Sequence, residues 1–309
     1  MPTHLRHSRA LELLLRLGVA TPLGHRLITS LISRWLTKPT LGKMRRTPAD
    51  LGLPWDPLTC MTADNVRLAG WLVEPPTARA TVVLCHAIRH NREQTLSRIA
   101  FLAAAGYRCV AFDHRAHGES AGRRTSFGHF ESLDVSAALD LTHARWPGQP
   151  VAALGMSMGG AALCCAAEHT RRCQAVILEN MYFDVVSAFT NRLTPRHPPT
   201  LRRLTPALVR ACERLFAVEG VELSPSDRIA DLAPAPILLV TGQNDQHAPP
   251  AEAEQMFERR RGPGELFIVP GAGHNDVCEK GGRAYEERIL GFLERWLFGA
   301  DHITYGKAA

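Results

Sequence analysis

Short, continuous apolar runs alternate along this chain with longer runs of helical period. Leu58 to Met61 and Val66 to Val73 come first, joined by Ala63-Asp64-Asn65, the pattern of an antiparallel hairpin. Further apolar runs follow at Thr81 to Cys85, Arg108 to Phe112, Val151 to Met156, Ala175 to Leu178, Ile237 to Thr241 and Glu265 to Val269. Between and after them lie helical runs at Arg92 to Ala105, Ser132 to Ala144, Ala161 to His169, Ala251 to Arg259 and Ala284 to Leu297. Strands with no polar alternation must be covered on both faces, so the pattern predicts a mostly parallel α/β sheet between helical layers.

Two segments break this rhythm. Residues 9–36 read as two amphipathic helices separated by Thr21-Pro22-Leu23-Gly24. In the second, Leu27, Ile28, Leu31, Ile32 and Trp35 recur with the helical period. The other break lies between Glu179 and Ser226, where a proline cluster (Pro195, Pro198, Pro199, Pro206) interrupts apolar helix-like pieces. So long an insertion between two strands predicts a small helical cap, about residues 181–225, over the C-terminal edge of the sheet, the edge where open α/β sheets bind ligands. The expected organisation is an N-terminal extension over 1–46 and a domain over 47–309.

Charge sharpens that division. Residues 1–46 hold nine Lys/Arg against the single acid Glu12, a balance of +8, whereas the whole chain is +6. The remainder is therefore mildly acidic, and the basic character belongs to the extension. Its helices suit either an anionic membrane surface or packing on the domain or on a second subunit. No zinc-finger spacing, recognition-helix pattern or aromatic-interleaved basic stripe points to nucleic acid. The eight cysteines lack C-x-x-C spacing, and several sit in apolar runs, which fits a reducing, cytoplasmic setting with peripheral membrane contact as an addition. No cofactor is expected, and no metal. His90, His114, His117 and His247 read as loop histidines, since no H-E-x-x-H pattern appears.

Chemistry concentrates at Gly155-Met156-Ser157-Met158-Gly159, a G-x-S-x-G pattern with a strand-like run entering and a helix-like run leaving. Such a strand-to-helix turn exposes the serine hydroxyl, and flanking glycines make the turn sterically possible. A second match, Gly118-Glu119-Ser120-Ala121-Gly122, has no strand feeding it and reads as a turn. A serine nucleophile needs a base, and the base an orienting acid. Ile237 to Thr241 opens into Gly242-Gln243-Asn244-Asp245, and Leu266 to Val269 opens into Pro270-Gly271-Ala272-Gly273-His274. Ser157, Asp245 and His274 thus each follow a strand of their own, in the chain order nucleophile, acid, base. Asp184, after the preceding strand, is the rival acid, and Asp276 reads as the cap of the following helix.

With these motifs the chain resembles the α/β-hydrolase superfamily, in its branch of esterases, monoacylglycerol lipases and serine aminopeptidases. The likeness spans roughly Trp55 to Phe298. It rests on His86-Ala87, Asp113-His114-Arg115-Ala116-His117-Gly118-Glu119-Ser120, Gly155 to Gly160, Gly242-x-x-Asp245-x-x-x-Pro249 and Gly273-His274. It implies an eight-stranded, mostly parallel sheet and acylation of Ser157 followed by hydrolysis. The oxyanion would be held by the backbone N–H groups of Met158 and Ile88. Two departures stand out: Ala87 where His-Gly is usual, and Ala116 where the Asp-x-Arg-Gly-x-Gly turn has its first glycine.

The resulting expectation is a serine hydrolase, a carboxylesterase acting on small to medium acyl esters. Ile88 and Met158 would flank the acyl pocket, with Tyr182 and Phe183 supplied by the cap. A thioesterase or a peptidase would use the same three residues. A protein of this fold that binds a small ligand without hydrolysing it is the alternative of another class.

Overall fold

A computed structural model describes residues 22–193, 205–217 and 224–299. The first helical run expected before Pro22 lies outside the described residues.

Eight strands form one sheet: β1 (Asp56–Met61), β2 (Arg67–Val73), β3 (Ala80–Cys85), β4 (Tyr107–Phe112), β5 (Val151–Met156), β6 (Ala175–Glu179), β7 (Ile237–Gly242) and β8 (Gly264–Val269). Their spatial order is β1-β2-β4-β3-β5-β6-β7-β8. β1 and β2 form the antiparallel hairpin, β2 is antiparallel to β4, and every later pairing is parallel.

β3 through β7 are buried along their whole length because alternate residues feed two separate cores. Val82 and Leu84 of β3, with Ala152 and Leu154 of β5, meet α2 (Leu96–Ala104) and the C-terminal helix, Val277–Phe298. Val83, Cys85, Val151 and Ala153 face the other way, onto α3 (Glu131–Arg145), α4 (Met158–Cys165) and the helix Pro250–Arg259. Helices therefore cover both faces. The crossover from β3 runs out to β4, while β5 lies on the opposite side of β3. The carboxyl ends of β3 and β5 thus flank a topological switch point, where open α/β sheets place their ligands.

The described part of the cap comprises α5 (Val185–Leu193) and α6 (Thr205–Phe216). Its apolar faces build a third cluster of Phe127, Tyr182, Phe189, Leu208 and Phe216. The helix before the domain, α1 (Pro22–Leu36), packs along α6, and its Ile32 and Leu36 join the same cluster. Thr40–Leu41 then pairs in parallel with His117–Gly118, and the amides of Arg45 and Arg46 donate to the Glu93 carboxylate. The boundary expected at 46/47 marks a change in charge and not a gap in packing, for residues 22–46 are bonded into the domain. Among the described residues, no helix is long and apolar enough to cross a membrane.

Candidate active site

Ser157 is the single residue between β5 and α4, and it holds φ 49° and ψ −109°. A non-glycine residue at positive φ is strained, and the strain persists here because both neighbours are over-determined. A Cβ on Gly159 would lie 2.4 Å from the Cys85 carbonyl oxygen, and one on Gly155 would lie 2.6 Å from the Gly159 backbone. The two glycines of the pattern therefore permit β3, β5 and α4 to approach closely. Ser157 N–H donates to the Glu179 carbonyl at 2.8 Å, which ties the turn to the end of β6.

Asp245 follows β7 and His274 follows β8. Their side chains converge on the serine: Ser157 Oγ is 3.2 Å from His274 Nε2, and His274 Nδ1 is 2.7 Å from Asp245 Oδ2. The other carboxylate oxygen of Asp245 accepts the N–H groups of His247 at 2.7 Å and Ala248 at 3.0 Å, so the acid is fixed on its own loop. With Asp245 accepting, Nδ1 carries the imidazole proton and Nε2 is left to accept from the serine hydroxyl. The Asp245 side chain is fully buried and that of His274 is 10% exposed, so the relay is shielded from water. The rival acid, Asp184, is elsewhere: it accepts the Ser187 N–H at 2.6 Å and caps α5. Asp276 stands at the start of the C-terminal helix, yet its side chain turns back to accept the Gly273 N–H at 2.6 Å and braces the histidine loop instead of capping the helix.

One positioning residue has no motif in the sequence. Asn180, immediately after β6 with φ 45°, donates from Nδ2 to the His274 carbonyl at 2.6 Å and accepts the Gly242 N–H on Oδ1 at 3.0 Å. It links the loop that carries the acid to the loop that carries the base. Its only signal in the sequence is an amide residue at a strand end, a residue type that tolerates positive φ.

The loop after β3 leaves one amide open. Ala87 N–H donates to Gln94 Oε1 at 2.8 Å, Arg89 N–H to His117 Nε2 at 3.2 Å, and His90 N–H to the Ala87 carbonyl at 3.2 Å. Among the described residues, only Ile88 of these four lacks an acceptor for its amide. The Met158 N–H is the first of α4 and has no intrahelical acceptor by position.

Beneath this loop three buried histidines stack edge to face. His86 lies 4.9 Å from His114 and 5.2 Å from His117 between ring centroids. His86 Nδ1–H donates to the Ala87 carbonyl at 2.7 Å, while Nε2 accepts the His114 N–H at 2.9 Å. Burial, reinforced by the neighbouring imidazoles, holds His86 well below its ordinary pKa, and burial likewise lowers His117. Both rings are neutral loop supports. Ala116 takes φ 59°, so it keeps the left-handed turn that a glycine would adopt more easily. Ser120 of the second G-x-S-x-G match is buried in hydrogen bonds to Asp113 and Ala69 and is structural.

The expected pocket residues separate. Ile88 lies against the cap cluster, and Tyr182 belongs to that cluster with its hydroxyl donating to the Phe127 carbonyl. Met158 is fully buried, and its sulfur accepts from Thr125 Oγ1 at 3.2 Å. Phe183 is not brought to the serine: it packs on the core beneath the sheet's other face, with the Arg259 guanidinium 4.4 Å above its ring. Both residues lie in the turn that follows β6 and Asn180, and that turn sends Tyr182 to the cap side. A cavity of about 10 Å³, room for one water molecule, adjoins Ser157 and His274 and is lined also by Gln94, Arg98, Glu179 and Asn180. All eight cysteines are free, and burial pushes the thiols of Cys60, Cys173 and Cys212 up to about 12, which makes them inert packing groups. Among the described residues, no cluster of His, Cys, Asp and Glu has the arrangement of a metal site.

Comparison with known proteins fits this architecture. Residues 76–218 match the family model for serine aminopeptidase, S33, and residues 206–296 match the model for TAP-like protein. The uncharacterized protein YqkD of Bacillus subtilis is 24% identical over 75% of this chain and 77% of its own length. The uncharacterized membrane protein YNL320W of Saccharomyces cerevisiae is 26% identical, over 80% of this chain and 82% of its own. Among solved structures, the Pyrococcus furiosus esterase Pf2001 superposes with a TM-score of 0.72 at 24% identity, covering 85% of this chain and 98% of that one. A thermophilic esterase from Thermogutta terrifontis gives 0.56 at 18% identity, covering 78% and 99%.

Proposed function

Because the chain belongs to the α/β-hydrolase superfamily, we propose that its site works as a serine hydrolase, a carboxylesterase for small to medium acyl esters. The observation that carries the reading is the continuous Ser157–His274–Asp245 relay, with contacts of 3.2 and 2.7 Å, at the switch point of the sheet. Ser157 Oγ passes its proton to His274 Nε2 as it attacks the ester carbonyl carbon. The carbonyl oxygen becomes an oxyanion held by the N–H groups of Ile88 and Met158, and each such donor is worth about 3 kcal/mol in the transition state. The C–O bond to the alcohol then breaks, and His274 returns its proton to the departing oxygen. Water attacks the acyl-enzyme with His274 as base, which releases the acid and restores Ser157. Asp245 keeps the imidazole in the required tautomer and stabilises its protonated form.

The acyl chain would lie against the cap cluster, where half-buried Ile88 of the oxyanion loop packs on Tyr182, Phe189 and Phe216 and would form an apolar wall. That wall supports medium apolar acyl groups over acetate. The eight free cysteines suit a reducing compartment. A p-nitrophenyl ester series from acetate to palmitate, run beside aminoacyl p-nitroanilides, tests the assignment. Highest kcat/KM on a medium-chain ester supports it. Activity confined to acetate refutes the apolar wall, and activity confined to the anilides gives the site to a peptidase, the chemistry named by the matching aminopeptidase model.

A further inference from the structure

α1 is amphipathic the wrong way round for a helix that packs on its own domain. It buries Thr29 and Ser33, which are 1% and 2% exposed, and presents Leu23, Leu27, Leu31 and Trp35 to solvent at 56–80% exposure. The four outward residues recur every fourth position and form one stripe along the helix. The inward hydroxyls tolerate burial because they bond within the helix, Thr29 to the Arg26 carbonyl at 3.2 Å and Ser33 to the Ser30 carbonyl at 2.9 Å. Nor can the helix roll to hide the stripe. Ile32 and Leu36 are engaged with the cap cluster, the Thr37 carbonyl accepts the Thr125 N–H at 3.1 Å, and the following residues are paired to His117–Gly118.

The polar surroundings of the stripe have one sign. Between Pro22 and Ala49 the chain holds six Lys/Arg and no acid. Beside the stripe, α1 and α6 leave a groove of about 650 Å³ in which Arg26, Arg34 and Arg214 stand with Leu23, Leu27 and Leu215. Glu213, the one carboxylate of α6, does not line it, and among the described residues none of the three arginines has an ion-pair partner. An apolar ridge beside a groove lined by three guanidinium groups matches a surface that offers acyl chains and anionic head groups together. A second copy of the chain fits it poorly: two such grooves meeting about a twofold axis would oppose arginine to arginine, with no carboxylate among the described residues that line them.

We propose that α1 docks the protein on an anionic lipid bilayer, with the Leu23/Leu27/Leu31/Trp35 stripe in the interface and phosphate head groups in the Arg26/Arg34/Arg214 groove. A helix of 15 residues is about 22 Å long, so it lies on the membrane and does not cross it. The proposal is independent of the esterase reading, because its test reads binding alone.

The test is flotation of the full-length protein with vesicles of phosphatidylcholine, with or without phosphatidylglycerol. The parent floats with the phosphatidylglycerol vesicles, less with phosphatidylcholine alone and less at high salt. The double variant L27S/L31S, altered only at exposed positions, keeps its unfolding midpoint and ester hydrolysis while its partition coefficient falls by at least about tenfold. R26Q/R34Q loses its preference for the anionic vesicles. The proposal is overturned if the parent stays unbound, or if L27S/L31S floats as the parent does. It is equally overturned if the parent shows a concentration-dependent dimer by light scattering that L27S/L31S abolishes, without vesicle binding; the stripe then belongs to a second copy.

Discussion

Removing the Asn180 side chain tests whether the acid and base loops are held in register by one residue. Asn180→Ala deletes the 2.6 Å bond to the His274 carbonyl and the 3.0 Å bond from the Gly242 N–H, which is buried. A buried N–H left unpaired costs about 1–3 kcal/mol. Alanine at φ 45° adds about 1 kcal/mol, since asparagine tolerates the left-handed region and alanine does not. The expected destabilisation is about 3 kcal/mol, or roughly 6–12 °C in unfolding midpoint for a domain of this size. The kinetic effect is separate: a shift of about 1 Å between His274 and Ser157 costs on the order of 100-fold in kcat/KM, expressed chiefly in kcat. Asn180→Gly removes the same two bonds without the strain of a Cβ at positive φ, so it matches the alanine variant in kcat while being more stable. Ester hydrolysis and thermal unfolding of both variants provide the assay. If both lose stability but keep the parent kcat, Asn180 braces the fold and does not set the geometry of the relay.

Asp245→Asn presents an amide to His274 Nδ1 and favours the wrong tautomer, so kcat for ester hydrolysis falls by about 10⁴. Its unfolding midpoint changes little, because an amide oxygen still accepts the His247 and Ala248 N–H groups; a fall in kcat below about tenfold would assign the acid to another residue. Acid sensitivity follows from the buried imidazoles. The folded pKa values of His86 and His117 are depressed, so below about 6.5 the unfolded chain binds protons that the fold refuses. The contribution of each is intact above about pH 7.5 and lost as pH falls through 6.5, at up to roughly 1 kcal/mol per pH unit. Unfolding midpoints measured from about pH 7.5 to 5.5 check this, and a midpoint that rises on acidification contradicts it.

The parts of the molecule legible in the sequence are those that physics writes locally. A strand buried on both faces must be apolar without a break, so Val151 to Met156 and Ile237 to Thr241 stand out, and the glycines at their ends mark where they stop. The order of Ser157, Asp245 and His274 follows from that strand order. What could not be read depends on contacts distant in the chain. Asn180 acquires its role only when the loops after β7 and β8 fold over it. Tyr182 and Phe183 are equivalent in composition, and the local turn alone decides which one faces the cap. The apolar arc of the second N-terminal helix gave its period correctly, yet burial of Ile32 and Leu36 against the cap leaves Leu27, Leu31 and Trp35 outside. The charge step near residue 46 left membrane contact and packing on the domain both open, and the pairing of Thr40–Leu41 with His117–Gly118 is a backbone contact that composition does not record.

The proposed chemistry stands on Ser157 as a nucleophile activated by His274. It is tested most directly by incubating the parent and Ser157→Ala with a fluorophosphonate probe and locating the adduct by peptide mass. One covalent adduct is expected, on Ser157, with its rate of formation reduced when His274 is replaced by alanine and no adduct on Ser157→Ala. A folded parent protein that acquires no adduct, or labels equally after Ser157→Ala, would contradict it.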